Sequence, residues 1–94
     1  MRHAAVRKRR DANEKAIIVA LRAVGATVVQ LSSTDVPDLL VGYRGLNWLL
    51  EVKSNDGDLS QGQADWFRDW RGEGGVVRTP EDALRRIGIS ATRK

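Results

Sequence analysis

The sequence predicts an α/β domain in which helices flank a mixed β-sheet, in the order αβββαβα. Three observations carry this prediction. An amphipathic helical stretch is followed at once by a short β-rich run. Residues 36–53 then read as two apolar strands joined by a turn at Gly45. Beyond them, a capped helix, a short strand and a second capped helix complete the chain.

Residues 1–10 form a basic arm. The first helix runs from about Asp11 to Val24 and stops at Gly25, with Ile17, Ala20, Leu21 and Val24 making its buried stripe at i, i+3, i+4 and i+7. Glu14 lies one turn before Ile17, on or beside that stripe. Read alone, it is a solvated carboxylate in a first helical turn, favoured by the helix dipole. Ala26–Leu31, with Thr27, Val28 and Val29, is the first strand, and a Ser-Ser-Thr-Asp loop follows. Pro37 suits the mouth of a strand, because it cannot donate to a ladder. Leu39–Gly42 and Asn47–Ser54 form the hairpin, and 55–58 is a turn cluster. Ser60 is the expected N-cap of a helix reaching about Arg71, on which Gln63, Trp66, Phe67 and Trp70 share a face; the three aromatics read as core. Gly72, Gly74 and Gly75 end this helix, Val76–Arg78 is the last strand, and Thr79-Pro80-Glu81-Asp82 is a strong helix start. The last helix closes at Gly88, and a frayed basic tail is expected over 89–94. One domain therefore spans 11–88, between the arm and the tail.

Composition narrows the function. With 94 residues there is room for one core, and no apolar run approaches the roughly 20 residues that cross a bilayer. The basic start lacks a following apolar segment, so no signal peptide is visible and a cytoplasmic location is expected. The absence of cysteine removes disulfides, thiolate metal sites and cysteine nucleophiles. The single histidine, His3, argues against histidine-based nuclease motifs and serine–histidine hydrolysis. Net charge is +4, concentrated in Arg2, Arg7, Lys8, Arg9 and Arg10 at one end and Arg85, Arg86, Arg93 and Lys94 at the other. Nucleic acid is the natural partner of such ends, though solubilising tails have the same look.

Chemistry concentrates in the hairpin. Asp38 stands at the mouth of its first strand, and Glu51 and Lys53 share one face of the second, opposite Trp48, Leu50 and Val52. Charge in an apolar strand must be paired or bound to something. A divalent cation held by Asp38 and Glu51, with Lys53 alongside, answers that cost. The alternative is that Asp38 caps a turn while Glu51 and Lys53 face water. Gln63 either points its amide toward Lys53 or lies at the edge of the core.

Pro37-Asp38, Glu51-Val52-Lys53, Leu59-Ser60-x-x-Gln63 and Gly-Gly-Val-Val-Arg-Thr-Pro-Glu-Asp at 74–82 together resemble the virus-type replication-repair nuclease (VRR-NUC) domain, a family of the PD-(D/E)xK nuclease superfamily. The resemblance runs from about Asp11 to Leu84. It implies the restriction-endonuclease-like αβββαβ core and Mg²⁺- or Mn²⁺-dependent hydrolysis of phosphodiester bonds. It further implies Asp38, Glu51 and the Val52 carbonyl as metal ligands, Lys53 as the catalytic lysine and Gln63 as its support. Glu14 matches a first-helix glutamate that joins the metal site in this family and in similar archaeal Holliday junction resolvases. Stand-alone members, largely from phage, form homodimers. The resemblance thus implies a structure-selective endonuclease on branched DNA, working in a bacterial host cell if phage-encoded. A less selective flap or single-strand nuclease and a non-catalytic nucleic-acid-binding module are the alternatives.

Overall fold

A computed structural model describes residues 11–89; the basic arm at 1–10 and residues 90–94 lie outside the described residues. The elements are α1 (Glu14–Ala23), β1 (Thr27–Gln30), β2 (Leu39–Tyr43), β3 (Leu46–Val52), α2 (Gln61–Asp69), β4 (Glu73–Val77) and α3 (Pro80–Arg86), in the expected order. The four strands form one sheet in the order β1-β2-β3-β4. The first three are antiparallel and β4 runs parallel to β3. A parallel return needs a crossover, and α2 supplies it.

The hairpin register follows from its turn. Arg44 and Gly45 both take positive φ, 52° and 81°, the arrangement of a two-residue type I′ turn whose twist matches the flanking strands. Tyr43 therefore pairs with Leu46, Val41 with Trp48 and Leu39 with Leu50. Side chains alternate, so Val28, Leu39, Val41, Trp48, Leu50, Val52 and Val77 point to one face. Ile17, Ile18 and Leu21 of α1 and Ala83 and Ile87 from α3 and its C-cap meet them there in one buried cluster. Asp38, Glu51 and Lys53 belong to the other face.

Several limits differ from the sequence reading, four of them for an identifiable physical reason. Helix α1 starts at Glu14 rather than Asp11, because the Asn13 amide is engaged elsewhere and 11–13 form a turn. Strand β4 starts at Glu73, so Gly74 and Gly75 belong to it. A Cβ on Gly74 would collide with the Leu49 carbonyl oxygen, and glycine is what lets β4 close on β3. Helix α2 stops at Asp69. Trp70 turns to extended geometry (ψ 130°), stacks its indole on Trp66 with ring centroids 4.9 Å apart, and donates Nε1–H to the Glu73 carbonyl at 2.8 Å. Finally, Ile89 is not frayed: it packs against the core, and its N–H donates to the Leu84 carbonyl at 2.9 Å.

The reading of Trp66, Phe67 and Trp70 as core is also corrected. Helix α2 has no fully buried residue, and none of the three joins the core cluster. They pack on each other instead, Trp66 edge-on to Phe67 and stacked on Trp70. Helical spacing reveals a shared face, but not which surface receives it.

Candidate active site

The hairpin brings Asp38 and Glu51 together. Continuing the Leu39–Leu50 register by one step sets Asp38 opposite Glu51, and both are buried, 4% and 3% exposed. The solvent-facing alternative for this pair is thereby removed. Asp38 Oδ2 accepts the Val52 N–H at 2.8 Å, so the carboxylate joins the ladder where β2 has just begun. In an extended chain the N–H and C=O of one residue point to the same side. The Val52 carbonyl is therefore directed toward the strand edge that Asp38 occupies.

Glu51 is held on its Oε2. Gln63 Nε2 donates to that oxygen at 3.0 Å, and the Lys53 ammonium lies 3.5 Å from it. Lys53 sits on the same face as Glu51, as the two-residue spacing requires, and remains partly exposed. A lysine–carboxylate pair out of water is worthwhile only when further hydrogen bonds satisfy its remaining atoms. Gln63 supplies one of these.

Gln63 can do so because its amide has two ends. Ser60 caps α2, its Oγ accepting the Gln63 N–H at 3.2 Å, while Gln63 Oε1 accepts the Ser60 N–H at 2.9 Å. This is a capping box, which a glutamate at Gln63's position would also complete. Only glutamine completes it and still presents a donor to a carboxylate. The Ser-x-x-Gln spacing announces the cap; the second duty of the amide emerges from the fold.

Glu14 is buried at 3% exposure, so the solvated reading fails. Its Oε2 accepts from Gln30 Nε2 of β1 at 3.0 Å. Among the described residues no group of three or more histidine, cysteine, aspartate or glutamate side chains is gathered for a metal ion. Glu14 thus does not form one closed cluster with Asp38 and Glu51. The hard-oxygen donors that the fold does bring together are the two hairpin carboxylates and the Val52 carbonyl.

Sequence reasoning missed three residues. Gln30 orients Glu14. Arg78 donates Nη1–H to the carbonyls of Ser54 at 2.5 Å and Gly57 at 2.7 Å, pinning the turn that follows Lys53. Asn13, immediately before Glu14, donates its amide to the carbonyls of Lys53 at 3.1 Å and Arg78 at 2.6 Å. A helix read from about Asp11 left Asn13 inside it; the helix starts at Glu14, and Asn13 gives it no side-chain cap.

A four-stranded mixed sheet flanked by helices in the order αβββαβα is consistent with a restriction-endonuclease-like fold. A solved structure described as a VRR_NUC domain matches the chain with a TM-score of 0.63 and 28% identity, covering 79% of this chain and 88% of that one. No protein-family model and no curated protein matches. The fold agrees with that solved structure, and the chain is similar to a VRR-NUC domain over most of its length.

Proposed function

We propose that this domain is a metal-dependent DNA endonuclease that hydrolyses phosphodiester bonds and prefers branched DNA, in the manner of a Holliday junction resolvase. The observation that carries the reading is the buried Asp38–Glu51 pair across the hairpin, with the Lys53 ammonium on Glu51. Two carboxylates beside a main-chain carbonyl are hard oxygen donors, and Mg²⁺ takes one or two protein carboxylates with the rest of its shell from water and substrate. The residues present fit Mg²⁺ or Mn²⁺. Asp38, Glu51 and the Val52 carbonyl would hold the ion, and Glu14, bonded to Gln30, stands outside their cluster.

When bound, such an ion supplies Lewis-acid charge to the phosphate and renders a water nucleophilic near neutral pH. The protein's own side chains do the rest. Lys53 sets a positive charge where negative charge grows on the phosphate, the arrangement that gives electrostatic stabilisation its leverage. Gln63 fixes the Glu51 carboxylate against rotation, and Asp38 locks the two strands together through the Val52 N–H.

The basic residues of the arm at 1–10 and the tail at 89–94 would follow phosphates without reading bases, giving salt-sensitive affinity. A homodimer with two-fold symmetry, and so two sites, suits paired cuts on a branched duplex. The compartment in this reading is the cytoplasm of a bacterial host. No helix among the described residues is long and apolar enough to cross a membrane.

The test is cleavage of a labelled four-way junction beside linear duplex, flap and single strand, each with Mg²⁺, Mn²⁺ or EDTA. Paired cuts in the junction, dependent on metal, are expected. Cutting of every form alike would leave a nuclease of low selectivity, and binding without cutting in either metal would leave a nucleic-acid-binding module.

A further inference from the structure

The parallel pairing of β3 with β4 ends where the site begins. Its last register pair is Val52 with Val77, and the Lys53 N–H makes a further bond to the Val77 carbonyl at 3.1 Å. One step on, the carbonyls of Lys53 and Arg78 leave the ladder with no strand partner to receive them. Both are taken by one group, the Asn13 carboxamide, whose –NH₂ has two protons and gives one to each strand. The residue next to Asn13 is Glu14, the acid of α1, and one of the two carbonyls belongs to Lys53 itself.

That choice runs against the usual role of the position. Asparagine at a helix N-cap normally accepts a bond from the first turn. Asn13 is the N-cap of α1, yet its side chain makes no capping bond. The amide is committed across the fold, to residues 40 and 65 positions away in sequence. A helix start, the end of β3 and the end of β4 are thereby fixed to one planar group.

We propose that Asn13 is a positioning residue for the hydrolytic site. It sets the main chain at Val52–Lys53, and so the Val52 carbonyl and the Lys53 side chain, in a fixed relation to Glu14. The assignment rests on the proposed nuclease reading and deepens it. Groups that orient metal ligands from behind typically cost 10–100-fold in metal affinity or activity when removed, and small displacements of catalytic groups are expensive in rate. Asparagine is also the right residue for the task. Aspartate has nearly the same shape but would present oxygen to two carbonyl oxygens, turning two attractions into two repulsions.

The experiment compares the full chain with Asn13→Ala and Asn13→Asp, using Ile17→Val as a control that lowers Tm from the core without touching the site. Mn²⁺ alone is titrated by calorimetry, and junction cleavage is followed below each variant's Tm, with circular dichroism confirming fold. The expected result is a Mn²⁺ Kd raised about 10–100-fold in both Asn13 variants. The kcat falls by a similar factor, KM for DNA stays near wild type, and Ile17→Val leaves all three unchanged. If wild type binds Mn²⁺ without cutting DNA, the nuclease reading fails, and the weaker Mn²⁺ binding of the variants alone upholds the role of Asn13. Folded Asn13→Ala with wild-type Mn²⁺ affinity and kcat would overturn the assignment. So would an unfolded Asn13→Ala paired with a folded Asn13→Asp of wild-type affinity and rate. A wild type that neither binds Mn²⁺ nor cuts would overturn the reading of the site and this assignment with it.

Discussion

The two helices that carry the candidate residues Glu14 and Gln63 are held in opposite ways. Helix α1 buries Ile17, Ile18 and Leu21 in the core, and Glu14 is buried at its first turn. Helix α2 buries nothing completely. The Ser60–Gln63 capping box and the stack of Trp66 with Trp70 hold the helix within itself, and the Gln63 bond to Glu51 ties it to β3. One helix carries its acid on a rigid apolar base. The other carries an amide whose contact with the site is part of what holds the helix. Stability and function are therefore separable on α1 and entangled on α2.

The comparison breaks most sharply at Leu21. It is fully buried, and Leu21→Ala should cost about 2–5 kcal/mol through lost burial and the cavity left behind. Urea titration reads this directly, and the surviving folded fraction should cut DNA at the wild-type rate. A large kcat loss in that fraction would show that the base of α1 is not independent of the site. Gln63→Ala should cost less stability, about 1 kcal/mol for its half of the capping box. Its activity should nevertheless fall about 10–100-fold, because Glu51 loses the group that orients it. Equal small losses in both would detach Gln63 from the chemistry. Ser60→Ala separates the two duties. It removes the cap, again about 1 kcal/mol, but leaves the Gln63–Glu51 bond in place, so cleavage should fall only a few-fold.

The fold was largely legible in the sequence because its signals are local. Helical periodicity at Ile17–Val24, a turn at Gly45 and the caps at Ser60 and Thr79 each specify a neighbourhood, and together they leave one order of elements. The hairpin carboxylates were legible for the same reason, since register and two-residue alternation decide which side chains share a face. The aromatics of α2 were misread because spacing shows that residues share a face without showing which surface receives it. Asn13, Gln30 and Arg78 escaped because their partners are distant main-chain carbonyls or a single side chain across the fold. Nothing in a linear pattern marks a carbonyl that the sheet will leave without a strand partner.

The central claim is that Asp38, Glu51 and Lys53 form one hydrolytic site. The most direct test is Lys53→Ala assayed beside wild type on a labelled four-way junction, with binding followed by gel shift and fold by circular dichroism. Lys53 is partly exposed and outside the core, so the variant should fold and bind DNA almost as wild type does. Its cleavage should fall by about 10²–10³-fold or more, the scale of removing one electrostatic stabiliser from a reacting centre. Wild-type cleavage by a folded Lys53→Ala protein would contradict the account.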